Sequence, residues 1–295
     1  MKKPGLSLWA FVIALLLLQR CSSLPMVEIE SANKNDRIDY LVIHATSENF
    51  AESLRLLTQR TSNPVSSHYL LPTLEDASYP RSDLRVYSLV GEPLRAWHAG
   101  VSYWAGEESL NDRSIGIEIV NEFKCTGTEM PLSDINLDRV VCEFLPYPDA
   151  QIDLLIELVT DILQRYPSLN PIDVVGHSDI AIMRKSDPGP LFPWQRLYEA
   201  GIGAWPDIDT TERYKETFRL IMPSVRQLQA ALQALGYQVE VNGEFDQQTR
   251  FAVRAFQLHF RPTDYDGYVD FETAALLWAL LEKYRSRALT EIDAR

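Results

Sequence analysis

Five residues have the types and positions to do chemistry together: His44, Glu118, His177, Lys185 and Asp187. His44 and His177 each follow a short apolar run, and Glu118 sits near the end of the Ile-rich run from Ser114 onward. Lys185 and Asp187 stand at the head of a loop rich in Pro and Gly. Two imidazoles and one carboxylate make a catalytic zinc set, with three protein ligands and a fourth position left for water. Zinc lowers the pKa of such a water from about 15.7 to about 7, so a nucleophile exists near neutral pH. The chemistry then needs a general base to take the water's proton and pass it to a leaving amine, a role open to Glu118. A cation near the developing oxyanion completes the set, and Lys185 can supply it. Taken singly, each residue has a plainer reading. A histidine after a strand is by default a packed residue, a Glu in a half-buried strand points to water, and a loop Lys is solvated.

The elements around these residues predict how they are positioned. A buried strand over 36–46 leads into His44, and a helix over 48–60 follows it with Ser47 as N-cap. Strands are expected over 66–71, 85–90 and 114–120, the last of them central. Apolar residues at Ile152, Leu155, Ile156, Val159, Ile162 and Leu163 mark an amphipathic helix over 149–166. A short strand over 172–176 ends at His177, and the stretch 122–148 reads as an excursion over the surface. Strands alternating with helices indicate an α/β domain, with a mixed β-sheet flanked by helices. Further on, Val225, Leu228, Leu232 and Leu235 form one helical face that stops at Gly236. Two more helices are expected over 249–260 and 272–284, separated by turns at Asn242-Gly243 and Asp266-Gly267. The resulting division is a signal segment 1–21, a catalytic domain 22–205, a linker 206–220 and a small three-helix domain 221–287.

Composition excludes several classes. The chain has 295 residues, with 28 Lys+Arg against 41 Asp+Glu and a formal net charge of −13, which argues against a nucleic-acid-binding protein. Hydrophobic residues at 46% and charged residues at 23% are globular values, so wholesale disorder is not expected. Met1-Lys2-Lys3 and the apolar run 6–18 form an export signal, too short for a membrane-spanning helix of roughly 20 residues. Cys21 follows this run as the lipidated cysteine of a bacterial lipoprotein does, although Gln19 and Arg20 stand where small residues are usual. Export places the protein at the outer membrane facing the periplasm, or free in the periplasm if Cys21 carries no lipid. Cys125 and Cys142 are either bridged in that oxidising compartment or two separate buried thiols.

The motifs carry a family resemblance. Leu41-Val42-Ile43-His44, Ser66-Ser67-His68-Tyr69, Trp97-His98-Ala99-Gly100, the run from Asn111 to Glu118, Val175-Gly176-His177-Ser178-Asp179 and the run from Lys185 to Trp194 arrive in order. Together they resemble the zinc-dependent N-acetylmuramoyl-L-alanine amidases of the amidase-2, T7-lysozyme-like class. One departure is Ile182, where relatives usually place Pro. The resemblance implies one zinc per chain held by His44, His177 and Asp187, with Glu118 as general base and Lys185 as oxyanion cation. It places His68, Trp97, His98 and Asn111 near the substrate, while His68 also reads as a buried strand residue. His259 reads as a surface or capping residue of the helical module. That module resembles a type-1 peptidoglycan-binding domain through Val225-Arg226-Gln227-Leu228-Gln229, Leu235-Gly236-Tyr237, Asn242-Gly243-Glu244-Phe245-Asp246 and Ala255-Phe256-Gln257. The activity implied is hydrolysis of the amide between N-acetylmuramic acid, or its 1,6-anhydro form, and L-alanine of stem peptides. Its partners are peptidoglycan and muropeptides, and the protein is expected as a monomer. The rivals are a muropeptide recognition protein that does not cut, and a wall-attachment lipoprotein whose first domain is a spacer.

Overall fold

A computed structural model describes residues 27–33, 37–127 and 136–293, so the signal segment and Cys21 lie outside the described residues. Residues 27–33 carry no regular element, and Asp36–Arg295 form one compact unit. At its centre is a mixed five-stranded sheet. β1 (Tyr40–Ala45) lies between β6 (Ser114–Ile119) and β9 (Val174–Gly176), parallel to both. β2 (Tyr69–Leu71) runs parallel to β6, and β3 (Tyr87–Ser88) closes that edge antiparallel. Two small hairpins stand apart from the sheet: β4 (Tyr103–Trp104) with β5 (Glu107–Glu108), and β7 (Lys124–Thr126) with β8 (Val141–Glu143). Cys125 and Cys142 face each other across β7 and β8 and are disulfide-bonded, which settles the two readings of these residues.

Strand periodicity explains the placement of the chemistry. Leu41 and Ile43 of β1 and Ile115, Ile117 and Ile119 of β6 point to one face. There they meet Ile152, Leu155, Val159 and Ile162 of α2 (Asp149–Arg165), the stripe seen in the sequence. Each fully buried Ile or Leu of this kind contributes about 1.5–3 kcal/mol. The alternate residues point to the other face: Val42 and His44 on β1, and their registered partners Gly116 and Glu118 on β6. A one-residue slip would move His44 and Glu118 into the apolar layer and the isoleucines out of it, so the greasy face fixes the polar one.

Around this sheet lie α1 (Phe50–Thr58), α3 (His177–Ile180) and α4 (Trp194–Glu199), then α5 (Ile208–Leu220). The cap of α1 is Asn49, whose side chain accepts from the Glu52 N–H, and not Ser47 as the sequence suggested. The stretch 206–220, read as a linker, holds α5, which packs on α8 (Phe271–Tyr284). The C-terminal module contains α6 (Val225–Leu235), α7 (Gln247–Phe260), α8 and a further helix α9 (Ser286–Asp293), one more than expected. α6 ends where predicted, at Gly236 with φ 144°, where a Cβ would lie 2.5 Å from the Trp104 ring. The module does not hang free. Trp104, Ile180 and Val42 share one apolar cluster with Leu228, Tyr237 and Phe256, so the helices complete the core on the sheet's second face.

Candidate active site

His44, Glu118 and His177 meet because parallel strands end together. His44 and Glu118 are register partners at the C-terminal ends of β1 and β6. His177 follows directly on β9, whose Gly176 pairs with Ile43. Catalytic groups of α/β sheets lie outside the carboxyl ends of parallel strands for this reason. Asp187 is brought back by its own backbone: the Ser178 N–H donates to the Asp187 carbonyl at 2.8 Å. The Ala45 N–H also points to Asp187 Oδ2, at 3.4 Å.

Three donor atoms converge in the described residues. His44 Nδ1 and His177 Nδ1 are 2.9 Å apart, Asp187 Oδ2 is 3.1 Å from His177 Nδ1, and it is 3.6 Å from His44 Nδ1. Ligand atoms around a tetrahedral zinc, at bond lengths of about 2.0–2.2 Å, stand about 3.3 Å from one another. The donor set and its spacing therefore fit one divalent ion of this kind. All three residues are buried, and burial pushes the His177 imidazole down to about 3, so its neutral, lone-pair form is the resting one. Glu118 is half-buried beside them, and burial pushes its carboxyl up, partly offset by His44 and Lys185. A cleft of about 650 Å³ opens over the cluster, lined by Glu118, His177, Lys185 and Asp187 with Thr46 and Lys124. All five residues singled out from the sequence for chemistry thus stand at one place.

The expected substrate contacts divide differently. His68 is fully buried, its Nδ1 accepting from the Gly116 N–H at 3.0 Å and its Nε2 lying 3.2 Å from the Leu94 carbonyl. That ties the chain entering β2 to β6 and places His68 inside the fold, away from the cleft lining, as a hydrogen-bonded strand-entry residue. Asn111 is buried too, its Oδ1 accepting from the His98 and Ala99 N–H groups at 3.0 and 2.8 Å. His98 is 7% exposed and its ring nitrogens lie 2.9 Å from His44 Nε2 and 3.1 Å from Ser114 Oγ. Asn111 Oδ1 is thus taken up by backbone N–H groups, whereas His98, held between His44 and Ser114, also lines the cleft. Trp97, 48% exposed, is the most open of the four.

His259 is not at the surface. It is 4% exposed, its ring stacks on Trp194 at 3.8 Å, and its Nδ1 lies 2.8 Å from Asp179 Oδ2. Asp179, two residues after His177, also accepts from the Gly176 N–H at 2.7 Å and from the Tyr237 hydroxyl at 2.7 Å. Arg254 of α7 reaches Ser186, between Lys185 and Asp187, at 3.1 Å. Sequence reasoning gave Asp179, Tyr237 and Arg254 no role, since nothing in one chain reveals a contact across 58 to 80 residues. Tyr147 was also missed: inside the supposed excursion, its hydroxyl donates to the Pro188 carbonyl at 2.7 Å.

Comparison with known proteins agrees with this geometry. Residues 34–190 match the N-acetylmuramoyl-L-alanine amidase family, and residues 222–277 match a peptidoglycan binding domain family. The N-acetylmuramoyl-L-alanine amidase AmiD of Escherichia coli (strain K12) is 43% identical over 251 residues, 84% of each chain. Among solved structures, AmpDH3 from Pseudomonas aeruginosa in complex with anhydromuramic pentapeptide aligns with a TM-score of 0.79 at 44% identity, covering 88% of this chain and 99% of that one. AmiD from E. coli in complex with the substrate anhydro-N-acetylmuramic acid-L-Ala-D-gamma-Glu-L-Lys aligns with a TM-score of 0.71 at 42% identity, covering 87% and 93%. Both the family match across the sheet and the metal-type cluster at its strand ends lead to one conclusion: this chain belongs to the N-acetylmuramoyl-L-alanine amidase family.

Proposed function

We propose that the protein is a zinc-dependent amidase that hydrolyses the bond between N-acetylmuramic acid, including its 1,6-anhydro form, and the L-alanine of peptidoglycan stem peptides. The observation that carries this reading is the convergence of His44, His177 and Asp187 in one cleft with Glu118 and Lys185. His44 Nδ1, His177 Nδ1 and Asp187 Oδ2 would hold the zinc, and when bound it supplies Lewis-acid activation of water and carbonyl. Glu118, on the strand beside His44, accepts the proton of the attacking water and returns it to the leaving L-alanine nitrogen. Its raised pKa suits both halves of that transfer, because the protonated form is reached without a large penalty. The Lys185 ammonium faces the same cleft and stabilises negative charge developing on the carbonyl oxygen.

A recognition protein that does not cut would not require this donor set together with a half-buried carboxyl beside it. Residues 222–277 hold the enzyme on peptidoglycan in this reading. The Cys125–Cys142 bridge supports residence in an oxidising compartment, and export with a lipid on Cys21 is the corresponding address for a monomeric enzyme. The test uses the purified protein with defined muramyl and anhydromuramyl tripeptides, with and without a chelator. Release of peptide with a free L-alanine amino group, detected by mass and abolished by chelation, is expected. Zinc-loaded protein that binds either substrate without releasing peptide would establish the recognition reading instead.

A further inference from the structure

The metal-type cluster uses Nδ1 of both histidines, and the hydrogen bonds behind the rings explain why. Ser114, fully buried on β6, has one hydroxyl proton, and its Oγ lies 2.6 Å from the Leu110 carbonyl, which can only accept. That proton is therefore committed, and Ser114 Oγ must accept from His98 Nε2, 3.1 Å away. With its proton on Nε2, neutral His98 presents a lone pair at Nδ1. That lone pair faces His44 Nε2 at 2.9 Å, so His44 carries its proton there and leaves Nδ1 bare. His177 reaches the same state by a shorter route: its Nε2 lies 3.3 Å from the Ala99 carbonyl, and Arg184 Nη2, 3.4 Å from that nitrogen, has both its protons directed to the Ala99 and Val101 carbonyls at 2.8 and 2.9 Å.

Both acceptors thus come from consecutive residues of one loop, and that loop is pinned. Asn111 Oδ1 holds the His98 and Ala99 N–H groups, while Arg184 donates to the Ala99 and Val101 carbonyls at 2.8 and 2.9 Å. Gly116 leaves the space the ring needs, since a Cβ there would lie 2.4 Å from His98 Cγ. We propose that the His98–Ala99 dipeptide, backed by Ser114, sets the tautomers of both ligand histidines. In this role His98 is a positioning residue that prepares His44 Nδ1 for the metal. Partners behind a ligand histidine fix its ring and tautomer, and losing one typically lowers metal affinity about 10–100-fold.

This inference rests on the metal-ligand reading above, and the test separates the two. Zinc affinity is measured on the full chain by chelator competition for wild type, His44→Ala, His98→Leu, His98→Asn and Ser114→Ala. The ring nitrogens of His98 are observed by 15N NMR in zinc-loaded wild type. His44→Ala should lose zinc; retention of wild-type affinity would refute the ligand set itself. With that satisfied, His98→Leu should weaken zinc about 10–100-fold. His98→Asn, whose amide oxygen replaces the Nδ1 acceptor, should recover most of the loss. The His98 spectrum should show one protonated nitrogen, Nε2. A proton on His98 Nδ1, or His98→Leu and His98→Asn binding zinc equally, would overturn the proposal. Should His98→Leu fail to fold, Ser114→Ala decides with the spectrum: loss of the single Nε2–H form of His98 supports the relay, and an unchanged spectrum refutes it.

Discussion

Tyr237→Phe tests whether the helical module is built into the catalytic domain. Tyr237 is fully buried, packs on Trp104 with ring centroids 4.9 Å apart, and donates its hydroxyl to Asp179 Oδ1 at 2.7 Å. The substitution removes one oxygen and keeps the ring packing. Asp179, 1% exposed, then retains the Gly176 N–H and His259 but has an oxygen without its donor. A hydrogen bond to a charged group contributes about 1.5–3 kcal/mol. In a unit of this size each kcal/mol moves Tm by roughly 2–4 °C, so a drop of about 3–12 °C is expected. Tyr79→Phe is the comparison: that hydroxyl donates to the neutral Asp83 carbonyl at 2.8 Å, on a different cluster, and contributes about 0.5–1.5 kcal/mol. Thermal unfolding followed by circular dichroism reads both variants. If Tyr237→Phe melts no lower than Tyr79→Phe, the buried carboxylate does not depend on the module and the integration argued from this contact is wrong.

Glu118→Gln should keep zinc and the fold but lower turnover of anhydromuramyl peptides roughly 10²–10⁴-fold, since an amide cannot take the water's proton; near wild-type turnover would place the base elsewhere. Zinc present a thousandfold above its dissociation constant stabilises the folded state by about 4 kcal/mol, so a chelator should lower Tm by about 8–16 °C. An Asp187→Ala protein should show no such chelator effect, and an undiminished one would exclude Asp187 as a ligand. Cys125 and Cys142 are 17 residues apart, and opening a loop of that size by Cys125→Ser with Cys142→Ser should cost about 3 kcal/mol of stability in denaturant titration.

The candidate groups were legible in the chain through motifs that resemble a known family, and their common face was legible because strand constraints are local. A strand that must bury alternate isoleucines fixes which neighbours face the other way, so Glu118 could be placed from Ser114-Ile115-Gly116-Ile117-Glu118 alone. His44 is placed near the end of β1 by the same logic, His177 follows the short strand β9, and the amphipathic stripes of α2 and α6 appear within a residue or two of their predicted limits. Residues behind the site were not legible. His98 sits in a loop and Asn111 in a single 3-10 turn, neither long enough to carry a periodic pattern, so only the folded chain reveals that they reach His44 and the loop's own backbone. The span 206–220 carried charges and a proline and read as a linker, yet α5 gains its stability by packing on α8, a contact outside its own sequence. His259 looked like a surface residue on an amphipathic helix. It became buried because Trp194 and Asp179, 65 and 80 residues away in the chain, cover it. Strand periodicity therefore determined which face the candidate groups share, and the family resemblance of the motifs supplied the roles expected of them. The three-dimensional packing of distant segments decided which groups hold them, because a hydrogen bond between residues far apart leaves no periodic mark in either segment.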